Sequence, residues 1–68
     1  MNILLKEFCK SLMSLDSNEL NSLKSFLYIF MDCLKLLENK SFNTLELKNL
    51  TLTKIMLIDQ KLLDLLKG

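Results

Sequence analysis

The chain has 68 residues, and nine lysines against eight acidic residues leave a net charge of +1. This length allows one domain, spanning residues 1–68, at a size where a single core is marginal without a disulfide, a metal or a partner. Nineteen leucines, no proline and a single glycine at the last position exclude turn-rich β folds and indicate helices joined by short polar links.

Two capping patterns divide the chain into helices. Asp16 is followed three residues later by Glu19, and Asn43 is followed three residues later by Glu46. In such a pair the first side chain accepts from a backbone N–H of the first turn, and the acid reaches back to the capping residue. The spacing predicts three helices, at about 3–14, 17–39 and 44–67.

The first predicted helix has an apolar stripe at helical spacing, with polar residues on its other side. We expect it to be an ordinary amphipathic helix that folds back across the second helix. The stripe consists of Leu5, Phe8, Cys9, Leu12 and Met13.

The second predicted helix has two apolar stripes, and residues 26–31 form an unbroken apolar run. The main stripe should face the core and consists of Leu20, Leu23, Leu27, Phe30, Met31, Leu34 and Leu37. The second lies about 90° round the helix, at the a/d spacing of a knobs-into-holes seam. Its members are Phe26, Ile29, Cys33 and Leu36.

The third predicted helix repeats this theme, with a core face of Leu52, Ile55, Ile58, Leu62, Leu63 and Leu66, and Leu45, Met56 and Leu65 on its edges. Leu50 and Leu57 stand off that face, where the stems of Lys54 and Lys61 can cover them. Because the link between helices 2 and 3 is short, we expect an antiparallel hairpin. The predicted fold is all-α, a three-helix bundle that assembles into a larger helical bundle.

The two cysteines, Cys9 and Cys33, are too far apart in the predicted hairpin for a disulfide, and we expect both to be small apolar residues. The chain has no histidine, so we predict neither a metal site nor a cofactor.

The distribution of charge argues against several partners. The chain has no arginine and its lysines are scattered, so we expect no nucleic-acid binding. The longest charge-free stretch in the middle covers residues 25–31, much shorter than the roughly 20 residues of a membrane span. Residues 1–7 make a poor secretory signal. We therefore expect a cytoplasmic protein, in a host cell if a virus or phage encodes it.

Apolar residues left over from the predicted core point to a protein partner. The chain offers them in a second direction on helices 2 and 3, which a single small fold does not cover. We predict a partner-binding surface made of Phe26, Ile29, Cys33, Leu36, Leu50 and Leu57. The partner is a second copy, in a two-fold dimer pairing helices 2 or 3, or a heterologous helical protein. A thicker intramolecular core is the remaining alternative.

The acidic residues do not converge on a predicted catalytic site, so we predict a non-enzymatic interaction protein that masks a helical partner surface. We expect Asp59 to pair with Lys54, Lys61 or a lysine of the partner. The general shape is similar to that of small export chaperones, phage-encoded inhibitors and dimeric hairpin regulators.

One segment supports an alternative function. Residues 59–64, Asp-Gln-Lys-Leu-Leu-Asp, resemble the Ser-Gln-x-Leu-Asp signature of small helical-hairpin phosphatases that act on sporulation response regulators. Asp59 stands where that signature has Ser, and Asp64 falls one position late, about 100° round the helix. The resemblance implies a regulatory phosphatase acting on a response regulator.

Overall fold

A computed structural model of the chain describes residues 3–36 and 42–67. These residues form three helices: α1 (Ile3–Leu12), α2 (Ser17–Leu36) and α3 (Phe42–Lys67). The predicted all-α class is therefore confirmed. The molecule is long and thin, 42 Å by 23 Å by 15 Å, which is compatible with the predicted hairpin of long helices.

Helix α1 ends two residues before its predicted boundary, in a tightened turn. Met13 of the predicted apolar stripe therefore lies beyond the helix, where it is exposed. The backbone N–H of Met13 donates to the carbonyl of Lys10, and that of Leu15 to the carbonyl of Leu12, each at 3.2 Å. The Ser14 hydroxyl donates to the carbonyl of Ser11 at 3.1 Å. These bonds satisfy carbonyls that the last helical turn leaves without an intrahelical partner.

Helix α2 begins with the predicted capping box. The Glu19 N–H donates to Oδ1 of Asp16 at 2.8 Å, and the Asp16 N–H donates to Oε1 of Glu19 at 3.2 Å. The first intrahelical bond runs from the N–H of Leu20 to the carbonyl of Asp16. This prediction is confirmed in each of its hydrogen bonds.

The link between α2 and α3 differs from the prediction at its second end. Helix α3 begins at Phe42, so Asn43 is the second residue of the helix and not its cap. Residues 37–39, predicted to end helix 2, lie outside the described residues, as does Leu37 of the predicted core stripe.

The core is small and draws on all three helices. Leu12, Leu20 and Ile58, one residue from each helix, form a single buried cluster. Phe8, Leu15, Leu23, Leu27, Leu57 and Leu62 pack around this cluster while remaining partly exposed. Among the described residues six apolar side chains are buried, whereas fifteen large apolar side chains are exposed. Only a minority of the described apolar side chains is therefore fully buried.

Helix α1 packs mainly on α3. The sequence had predicted that it would lie across α2. The ammonium group of Lys54 on α3 lies 5.3 Å from the centre of the Phe8 ring on α1, within the range of a cation–π contact. Lys54 was predicted to cover leucines of its own helix. Because α2 also packs along α3, α3 provides the main packing surface for both of the other helices.

The buried face of α3 is rotated from the predicted one. Among its described side chains, Thr51, Ile55 and Ile58 are buried, and the Thr51 hydroxyl donates to the carbonyl of Leu47 at 2.7 Å. Leu52, Leu63 and Leu66, predicted to be core, are exposed. On α2 the buried residues Leu20, Met31 and Leu34 all belong to the predicted core stripe, whereas Phe30, which was also predicted to face the core, is exposed.

Candidate functional site

Four side chains form an exposed apolar stripe on α2, which we call the α2 face: Phe26, Ile29, Cys33 and Leu36. The exposed fractions of Phe26, Ile29 and Leu36 are 64%, 61% and 81%, and the Cys33 thiol is free and exposed. At about 100° per residue, the centre of this face lies about 150° round the helix from the buried residues. The stripe points almost directly away from the core, further than the roughly 90° that the sequence predicted.

The remaining two predicted partner-binding residues lie elsewhere. Leu50 and Leu57 are half-buried on α3, and Leu57 packs against the cluster of Leu12, Leu20 and Ile58. The prediction that Leu57 stands off the core was therefore wrong, because the packing of α1 on α3 encloses that side of the helix. Neither leucine is part of the α2 face.

One ion pair joins α2 to α3 in a partly buried position. The Nζ of Lys24 donates to Oδ1 of Asp59 at 2.8 Å. This hydrogen bond, with the nearby negative charge, raises the pKa of Lys24 above its ordinary value of 10.5, against the opposing effect of desolvation. Asp59 thus pairs with a lysine of α2, so the expected pairing with Lys54 or Lys61 was wrong. The other alternative, a lysine of a partner, stays a prediction.

The segment that resembles the phosphatase signature divides between two environments. Asp59 is held by Lys24, whereas Nε2 of Gln60 donates to Oδ1 of Asp64 at 3.2 Å on the exposed surface. Both contacts have ordinary structural explanations, as an interhelical ion pair and a hydrogen bond one helical turn apart. The geometry does not single out a reactive group here, and the phosphatase alternative stays a prediction.

A second exposed apolar stripe runs along α3 and was missed by the sequence interpretation. We call it the α3 face: Leu45, Leu52, Met56, Leu63 and Leu66, exposed by between 40% and 83%. The sequence placed these residues in the core or at its edges. Their spacing of seven, four, seven and three residues is the signal that identifies one continuous stripe.

Neither a known protein family, nor a curated protein, nor a solved structure matches this chain. Within the two described segments, none of the helices combines the length and the apolar character that a membrane span requires. The exposed α2 and α3 faces are therefore the features from which we infer a function.

Proposed function

We propose that this chain is a non-catalytic helical interaction protein that acts in a cytoplasm and covers an apolar helical surface of a partner protein with its α2 face. The observation that carries the proposal is the exposure of Phe26, Ile29, Cys33 and Leu36 together, at a/d spacing, on the side of α2 opposite to its core. An amphipathic helix that meets a groove or a second helix uses anchors with this spacing.

The size of the α2 face sets the expected strength of binding. Fully burying one large apolar side chain contributes about 1.5–3 kcal/mol, so the exposed parts of Phe26, Ile29 and Leu36 offer about 3–6 kcal/mol. Association costs an estimated 4–15 kcal/mol in lost translational and rotational freedom. The three anchors therefore offset only the lower end of that cost. A stable complex requires a partner that also covers their neighbours, such as the Phe30 ring on the edge of the face.

A pair of matched variants tests the proposal. The Phe26→Asp, Ile29→Asp chain places charges on the α2 face, and the Ile3→Asp, Met13→Asp chain places the same charges at exposed apolar positions outside it. We expect both variants to keep the helical circular dichroism of the parent chain. Proteins captured from the native cell and identified by mass spectrometry should be lost with the first variant and retained with the second.

Two results would contradict the proposal. If the α2-face variant unfolds while the other variant folds, Phe26 and Ile29 belong to the core. If both variants capture the same partners as the parent chain, binding uses a different surface.

A further inference from the structure

The α3 face has the geometry of a pairing seam. From Leu45 to Leu66 it extends over 21 residue steps, or roughly 32 Å at 1.5 Å per residue. The α2 face covers about half that length, from Phe26 to Leu36. In the heptad pattern of the α3 face, the two remaining seam positions hold polar residues, Asn49 and Asp59. Polar residues at seam positions are a known means of fixing the register of paired helices.

We propose that the α3 face binds the α3 face of a second copy of this chain, with the two helices antiparallel. The inference goes beyond the proposed function, because it concerns another surface and does not require the α2 face to bind anything. Its occupant follows from the charges and polar residues along the seam.

The seam residues match one another in one antiparallel register. When Leu52 lies opposite Met56 of the second copy, Leu63 meets Leu45 and Asn49 meets Asp59. A carboxylate accepts several hydrogen bonds, so Asp59 keeps its contact with Lys24 and gains an amide donor from Asn49. A parallel pairing in register instead sets the two Asp59 side chains against each other, which is repulsive.

The charges beside the seam favour the same direction. Glu46 and Lys67 lie on one flank of the α3 face, near its two ends, and both are exposed. An antiparallel two-fold axis brings Glu46 of each copy near Lys67 of the other, giving two opposite-charge pairs. A parallel arrangement places these two residues at opposite ends of the pair and forms neither contact.

The total surface of the chain has room for such an interface. Its accessible surface is 5348 Å² for 7.9 kDa, whereas a compact monomer of this mass exposes roughly 4,400 Å². The surplus, part of which comes from the elongated shape, is close to the roughly 800 Å² that each partner buries in a standard interface.

Sedimentation equilibrium and light scattering of the full chain, from low micromolar to millimolar concentration, test the proposal. We expect the mass to rise from 7.9 kDa to twice that value. A Met56→Lys, Leu63→Lys variant should weaken dimerisation at least about a hundredfold, since it buries charge in the seam. The matched Phe26→Lys, Ile29→Lys variant should dimerise like the parent chain. Helical circular dichroism checks that each variant folds.

A charge-swap series tests the direction of pairing. Glu46→Lys or Lys67→Glu alone replaces two attractive pairs by two repulsive ones, and we expect dimerisation to weaken by about tenfold at low salt. The double swap should restore it. A monomer at every concentration, or a dimer that dissociates with the α2-face variant and not with the α3-face variant, would overturn the proposal. A double swap that remains as weak as the single changes would overturn the antiparallel order.

Discussion

Truncating Ile58 and Ile29 to alanine compares the core with the α2 face through the same chemical change. Ile58 is fully buried at 0% exposure, and Ile29 is 61% exposed in the middle of α2. Removing a buried isoleucine side chain costs about 2–5 kcal/mol, because packing and burial are lost together. A chain of this length has a free energy of unfolding of roughly 3–10 kcal/mol. Ile58→Ala should therefore remove a large part of the stability and lower Tm by about 10–30 °C.

Ile29→Ala should behave differently, changing the free energy of unfolding by about 0.5 kcal/mol or less, since alanine also has the higher helix propensity. Urea unfolding followed by circular dichroism measures both values, at a concentration where light scattering shows a monomer. An Ile29→Ala loss as large as the Ile58→Ala loss would contradict the surface position of Ile29, because Ile29 would then be buried within the single chain.

Three other measurements test particular contacts. Asp16→Ala removes the side-chain cap of α2 and should cost about 1 kcal/mol in urea unfolding, with a Ser replacement retaining most of the stability. Because the contact with Asp59 raises the pKa of Lys24, its stabilising effect is fully present below pH 10.5 and is lost as pH rises through the higher folded-state pKa. The difference in unfolding free energy between the parent chain and Lys24→Met should therefore shrink at strongly alkaline pH; a difference that grows there contradicts this sign. The exposed Cys33 thiol should react faster than half-buried Cys9 with a thiol reagent, measured in Cys9→Ser and Cys33→Ser chains, and equal rates would contradict the placement of the α2 face.

The start and the core side of α2 were predictable because their signals are local. The capping box requires only that Asp16 and Glu19 stand three residues apart, and the structure forms both of its hydrogen bonds. The core stripe of α2 stands out because polar residues such as Asn21 and Lys35 interrupt the apolar pattern elsewhere on the helix. The apolar residues that did not fit that stripe were recognised as surplus for the same reason: Phe26, Ile29, Cys33 and Leu36.

The orientation of α3 was not predictable from its own residues. Leucines occur on several sides of this helix, so periodicity alone does not select one buried face. The face is selected by contacts with residues distant in the sequence: Lys54 lies over Phe8, and Asp59 pairs with Lys24. In this orientation Ile55 and Ile58 of the predicted core face are buried, whereas Leu52 and Leu63 of the same predicted face are exposed on the α3 face.

The directions in which the α2 and α3 faces point affect how the proposed dimer binds a partner. Since the α2 face points away from the core, pairing through the α3 face leaves Phe26 and Ile29 accessible on both copies. The dimer then presents two equivalent α2 faces, and a partner with two matching helices binds the second face at the high effective concentration set by the first. This avidity compensates for the modest contribution expected from a single α2 face.

A partner with one such helix gains nothing from this avidity. The Met56→Lys, Leu63→Lys variant should therefore weaken binding of a two-helix partner while leaving the affinity for an isolated helix unchanged. Equal weakening of both would mean that the α3 face contacts the partner directly.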